Sequence, residues 1–214
     1  MDIDKVIKLL AQTDGRDKIY KAAANVAKFL AYSNQQSGNK DGAKRAAALA
    51  KSIGEGRSLM RMGKWVQNTK KLTDSASSGT VFSAPDTVME YTRVACDFGY
   101  IFGDNVGYLA KYGVVAVSDE KWVAKQSKVF QFYAYVLAVL LDIMKILKLR
   151  KQGKSCQASY INLTKNASDA LVSADGLGYG RCVGYAPNAG FTSLLGFLSG
   201  SIATYQNWQK LSSS

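Results

Sequence analysis

An all-α fold follows from three features of the chain. Only two prolines occur among 214 residues, and each stands where a helix could start; proline fits a first helical turn because no N–H is needed there. Apolar residues gather on one helical face in several stretches, and long runs of strand-like alternation are absent. Charge is blocked along the chain. Lys+Arg number 28 against 16 Asp+Glu, a net +12, with +9 in residues 1–73, −4 in 74–110, +6 in 111–154 and +1 in 155–214. The expected architecture is a bundle of long amphipathic helices with a C-terminal glycine-spaced transmembrane or membrane-embedded helix.

The elements follow in order. Residues 2–12 read as a short helix with Ile3, Val6, Ile7 and Leu10 on one side. Asp14 suits a cap for the next helix, with Asp17 three residues on in capping-box style. That helix runs over 17–32, with Ile19, Ala23, Val26 and Leu30 on the apolar face and Lys18, Lys21, Asn25 and Lys28 opposite. A polar loop covers 33–42. Residues 43–72 read as a long helical stretch, weakened around Gly54-Glu55-Gly56. Thr73 to Ala84 is Ser-rich and reads as a linker. Two long helices cover 86–117 and 119–152, a shorter one 155–174, and after a glycine-rich loop the last runs from about Asn188 to Gln209. The domain expectation is a basic amphipathic region at 1–73, a linker at 74–85, a helical hairpin at 86–154, and a short helix, glycine-rich loop and membrane segment at 155–214.

Several function classes lose support at once. There is no histidine, the commonest general base and metal ligand. Cys96, Cys156 and Cys182 are far apart, so neither a zinc site nor a disulfide framework is indicated. The start Met1-Asp2-Ile3-Asp4-Lys5 is too polar for a secretory signal. Gly176-x-Gly178-x-Gly180 lacks the strand–turn–helix setting of a nucleotide loop. No nucleophile–base constellation stands out. The expectation is a non-enzyme without cofactor or metal.

Four stretches carry function. In the first, Arg57 to Leu72, Leu59, Met62, Trp65, Val66 and Leu72 form an apolar stripe, while Arg57, Arg61, Lys64, Lys70 and Lys71 bring five cations with no acid between them. Such a helix can lie in a bilayer interface, its cations on anionic headgroups at about 1 kcal/mol each; the same pattern also fits a core helix with a solvated basic face. The second is the 28-residue uncharged stretch from Cys182 to Gln209, longer than the roughly 20 residues of a membrane span. It carries Gly196-x-x-x-Gly200, a spacing that lets helix backbones approach closely; a buried soluble helix is the other reading. The third is Gly99-x-x-x-Gly103-x-x-x-Gly107, where glycines costing about 1 kcal/mol each in a helix call for close packing in return. Asp97, Asp104 and Lys111 make a lipid-facing span there expensive. The fourth, the apolar run 129–141, is short for a span and ends in Lys145, Lys148, Arg150, Lys151 and Lys154.

These pieces together resemble the peroxin-11 family of peroxisomal membrane proteins, including kinetoplastid forms found on glycosomes. The matching segments are Gln12-Thr13-Asp14-Gly15-Arg16-Asp17-Lys18-Ile19-Tyr20, Arg57-Ser58-Leu59-Met60-Arg61-Met62-Gly63-Lys64-Trp65 and Asp104-Asn105-Val106-Gly107-Tyr108-Leu109-Ala110-Lys111-Tyr112-Gly113, with the small-residue C-terminal segment. The resemblance implies membrane elongation and tubulation before organelle fission, by amphipathic-helix insertion and self-association, with a dynamin-related fission machinery as partner. The family's membrane-active helix maps onto Arg57 to Leu72, and its glycine-spaced span onto 190–206. The partners expected are an anionic phospholipid membrane and further copies of the chain, at a peroxisomal or glycosomal membrane. A metabolite channel, with Asp97, Asp104 and Lys111 on a polar path, is the alternative. A nucleic-acid-binding role is not expected, since it leaves the uncharged stretch unexplained.

Overall fold

A computed structural model describes residues 3–184 and 186–211, the side chains of 182 and 183 excepted. Met1, Asp2, the Cys182 thiol and residues 212–214 lie outside the described residues. Among those described there are eight α-helices and no strand: α1 Ile3–Ala11, α2 Thr13–Gln36, α3 Lys40–Met60, α4 Trp65–Ser77, α5 Pro85–Lys111, α6 Glu120–Lys151, α7 Gln157–Leu177 and α8 Ala189–Lys210, with a 3-10 turn at Tyr179–Val183.

Local chemistry sets the ends. Pro85 is the first residue of α5, and the Thr87 hydroxyl accepts the Ala84 N–H at 3.2 Å. Asp119 caps α6 by accepting the Trp122 N–H at 2.9 Å, and Asn188, after Pro187, caps α8 by accepting that of Phe191 at 2.8 Å. The stretch 33–42, expected as a loop, is helical on both sides of a tight turn. The Asn39 side chain accepts the Gly42 N–H at 2.9 Å and so lets α3 start at once. Asp14 and Asp17 do not form the expected capping box: α2 starts at Thr13 behind Gln12, without a side-chain cap. The chain does not weaken at Gly54 or Gly56, which lie inside α3. It breaks instead at 61–64, where Gly63 takes the left-handed conformation at φ +76°. The Ser-rich stretch is helical as far as Ser77.

The chain divides into two compact units, residues 1–60 with 180–214 and residues 61–179. In the first, α2 packs against α3 and α8, and α1 touches α2 and α8. In the second, α4, α5, α6 and α7 each meet only their neighbour in sequence among the described residues. The second unit is therefore a side-by-side array rather than a ring of helices closed around an oily centre, while in the first α1, α2 and α8 touch one another and α3 packs on α2 alone.

Polarity follows from that arrangement. Most buried positions are small or polar, Ala24, Ala27, Ala50, Ala134 and Ala203 with Asp17, Asn25, Asn105, Ser127, Ser159 and Ser199, beside a few larger apolar ones, Leu9, Val81, Val94 and Ile146. The large apolar side chains point outward, among them Ile3, Ile7, Val26, Phe29, Leu140, Leu147, Phe191 and Phe197. Water-soluble helical proteins show the opposite sorting. On α2 part of the expected sorting is reversed: Asn25, placed on the polar face, is 7% exposed and Leu30, placed on the core face, is 48% exposed, while Lys28 faces outward as expected. On α1, Ile3, Ile7 and Leu10 face outward and Leu9 is buried.

No helix among the described residues is long and apolar enough to cross a membrane. This corrects the expectation of a transmembrane α8. Its 22 residues suffice in length, but Gly, Ser, Thr, Asn and Gln interrupt the apolar ones.

Candidate functional site

The helix expected over Arg57 to Leu72 is interrupted. Its first residues end α3, Arg61 to Lys64 form the turn, and Trp65 begins α4. The two arginines meant for headgroups are engaged inside the protein. In the first unit the Arg57 Nε donates to Asp17 Oδ1 at 3.0 Å, and Lys18 reaches the other oxygen of that carboxylate at 3.3 Å. Asp17 is 1% exposed, so an unpaired charge there would be costly. Gly15 explains the rest of that segment: an added Cβ would strike the Leu9 carbonyl of α1. Arg16 is half-buried and Asp14 exposed.

In the second unit Arg61 donates to Asp104 Oδ2 from Nη2 at 3.0 Å and Nε at 3.3 Å, with its guanidinium 5.5 Å from the Tyr100 ring. Asn105, 4% exposed, accepts the Gly63 N–H at 3.0 Å and so holds the turn. Trp65 does not face outward. It sets its indole edge-on to Phe98 and Phe102, at 6.3 and 5.8 Å between centroids. Two of the segments that carry the family resemblance thus meet each other.

What remains outward from the expected wedge is apolar and lysine-rich. Leu59, Met62 and Val66 are exposed, as are Lys70 and Lys71, with Lys70 bound to Asp74 at 3.0 Å. Lys64 and Leu72 are half-buried. The larger apolar surfaces lie elsewhere: Trp122, Tyr133, Leu140, Ile143 and Leu147 along α6, and Phe191, Leu194, Phe197 and Leu198 along α8. The signal that could have found them was present. Where one face of a helix is Gly, Ala, Ser and Asn, that face packs and the apolar one is left outside.

The glycines divide. On α8, Gly190, Ser193, Gly196, Ser199, Gly200 and Ala203 form the buried face. A Cβ at Gly196 would strike the Asn25 side chain, and one at Gly200 would come within 2.8 Å of the Ala22 backbone nitrogen on α2. On α5, a Cβ at Gly99 would come within 2.8 Å of the Phe130 ring and one at Gly103 within 3.0 Å of Ser127 of α6, while Gly107 faces open space. Ser127 ties that seam by donating to the Tyr100 carbonyl at 2.9 Å. Four of the five glycines expected at packing or assembly seams therefore pack within one chain.

Three titratable groups stand out in the second unit. Burial holds the Asp142 carboxyl above its usual range against the opposing pull of its hydrogen bond from Asn166, at 2.7 Å. Burial also raises the Cys96 thiol. The Arg93 guanidinium is raised by its hydrogen bond to Glu90, at 2.5 Å, with Asp97 at 3.2 Å on its other side.

The fold and site define a class: an all-helical protein with small and polar side chains inside and apolar ones outside. The chain belongs to the Peroxisomal biogenesis factor 11 (PEX11) family, which matches residues 3–208. It is similar to Peroxisomal membrane protein 11A of Arabidopsis thaliana, at 24% identity over 228 residues that cover 93% of this chain and 89% of that protein. No solved structure matches. The resemblance read from the sequence is borne out, and with it a place at the peroxisomal membrane. The family is one of biogenesis factors, serving proliferation and division of the peroxisomal membrane, and not one known for enzymes.

Three outcomes follow for the purified protein in detergent. Gly196→Leu should lower unfolding stability by about 1–3 kcal/mol through overpacking, whereas Gly107→Ala should be neutral or stabilising by up to about 1 kcal/mol; thermal melts compare the two. Arg57→Ala should cost about 1.5–3 kcal/mol by removing a charge-assisted hydrogen bond from the buried Asp17 carboxylate, which keeps Lys18, and adding Asp17→Asn should restore part of the loss in a double-mutant cycle. Asp142→Asn should stabilise the protein at neutral pH. With its pKa raised in the folded state, the group's favourable contribution is full below the unfolded pKa and lost as pH rises through the folded one. The advantage of Asp142→Asn should therefore shrink on acidification, as read from melts across the carboxylate range.

Proposed function

We propose that this protein remodels the peroxisomal membrane by lying in its interface, with the outward apolar helix faces in the acyl boundary of one leaflet. Insertion into one leaflet expands it against the other and favours the elongation that precedes fission. The observation that carries this reading is the inverted polarity of both units, because a protein that keeps its small and polar residues inside leaves its apolar area for another phase.

Magnitudes favour the apolar term. Burying a Leu or Phe side chain is worth about 1.5–3 kcal/mol, so the half still exposed gains about 1 kcal/mol on leaving water. Phe191, Leu194, Phe197 and Leu198 on α8, 41–50% exposed, give about 4 kcal/mol on that scale. Arg57 and Arg61 contribute little to headgroup contact while they hold Asp17 and Asp104. The exposed lysines add about 1 kcal/mol each at an anionic surface. Self-association, which would sum local curvature, runs over outward faces, since Gly99, Gly103, Gly196 and Gly200 are already packed within the chain. A dynamin-related machinery is the expected partner for the fission that follows. The channel reading is the weaker one: Asp97 and Asp104 are bound to Arg93 and Arg61.

Leu194→Glu with Leu198→Glu should abolish binding and tubulation of liposomes by the full chain, while Lys70→Glu with Lys71→Glu should weaken them only modestly. Unchanged tubulation by the leucine variant would sink the proposal.

A further inference from the structure

The turn between α5 and α6 leaves an apolar run outside the protein. α5 closes where Gly113 takes the left-handed conformation at φ +70°, with the Gly113 N–H on the Ala110 carbonyl at 2.9 Å and the Val114 N–H on that of Leu109 at 3.0 Å. The chain then runs Val114-Val115-Ala116-Val117-Ser118 to the Asp119 cap of α6. Connections of this kind are ordinarily polar, and several apolar residues exposed in succession call for a partner phase. Val114 is 68% exposed, Val115 and Ala116 are exposed as well, and Val117 is half-buried. Tyr112 on one side and Trp122 on the other, both more than half exposed, widen this tip. No charge occurs from 112 to 118.

The charge beside the tip identifies its occupant. Lys121, Lys125 and Lys128 follow at i, i+4 and i+7 of α6, so they share one stripe of the helix, and all three are exposed. None of them forms an ion pair among the described residues. Like charges four residues apart repel, and a cation in a first helical turn opposes the helix dipole. Two acids stand against them before Asp142: Asp119, whose carboxylate accepts the Trp122 N–H, and Glu120. We propose that the α5–α6 turn is a membrane anchor that enters an anionic leaflet tip first. Val114 and Val115 reach the acyl boundary, Tyr112 and Trp122 lie at headgroup level, and the three lysines meet lipid phosphates. A dry protein pocket would account for the valines but not for the lysine stripe. The anchor rests on the membrane reading above and adds to it a point of entry distinct from the outward helix faces.

The test uses the full chain with its three native cysteines changed to serine and one environment-sensitive dye, attached through Val115→Cys in one sample and Leu194→Cys of α8 in another. Thermal melts report that the fold persists. On vesicles of phosphatidylcholine with phosphatidylserine, the dye at 115 should shift to the blue and be quenched by nitroxide-labelled acyl chains. Val114→Ser with Val115→Ser should weaken vesicle binding about tenfold or more without moving the melting temperature. Lys121→Gln, Lys125→Gln and Lys128→Gln together should cost about tenfold or more on these vesicles and little on pure phosphatidylcholine. A dye at 115 that stays in water while the one at 194 is quenched would overturn the anchor and spare the membrane reading. Quenching at 115 with 194 in water supports the anchor and counts against the reading of the α8 face. A blue shift that appears without vesicles and grows with protein concentration would place a second copy on the tip and overturn the anchor.

Discussion

The seam between α2 and α8 decides which helix faces the first unit buries. Helix axes approach this closely only where a side chain is missing, and Gly196 and Gly200 face Asn25 and Ala22 with no room for a Cβ. Once the glycine–serine face of α8 is committed to α2, Phe191, Leu194, Phe197 and Leu198 have nowhere to go but outward. The same logic runs in the second unit, where Gly99 and Gly103 seat Phe130 and Ser127 of α6. The α6 residues Trp122, Tyr133, Leu140, Ile143 and Leu147 are left exposed. Small residues inside and large ones outside are therefore one feature, seen from two sides.

The two arginine–aspartate pairs give the motif residues their physical meaning. Arg57 and Asp17 are 40 positions apart, and Arg61 and Asp104 are 43 apart. Each pair ties an end of the 57–65 segment to a distant helix of its own unit. The cations that look in sequence like headgroup ligands are structural instead. Buried pairs of this kind add little net stability, yet losing one partner is expensive. They hold the chain break at Gly63 in place and fix which face of each adjoining helix turns outward.

Helix type and several helix starts were legible because proline placement and caps are local signals, but one expected helix is two, α3 and α4. Pro85, Asp119 and Asn188 mark their helix starts in sequence as in structure. The break at Gly63 was not legible, because it depends on Asn105, 42 positions away. The orientation of α1 and α2 was misread for a different reason. Periodicity reveals that a helix has two faces but not which one is buried, and the usual assignment presumes water outside. Asn25 and Asp17 look solvent-facing under that presumption and are among the most buried side chains of the first unit. Of the candidate site, the glycines at 99, 103, 196 and 200 stand where a neighbouring helix crowds an added Cβ. Their partners on α2 and α6 could not be named from spacing alone.

These assignments change how curvature would arise. A wedge that depended on five cations would sense surface charge and weaken steeply with salt. Here two of the five are withdrawn into the protein, and leucine, isoleucine and phenylalanine side chains stand exposed along α1, α2, α6 and α8. Apolar insertion is only weakly sensitive to salt and scales with area, so the depth and spread of the inserted faces, rather than the charge of the leaflet, would set the strain imposed on it.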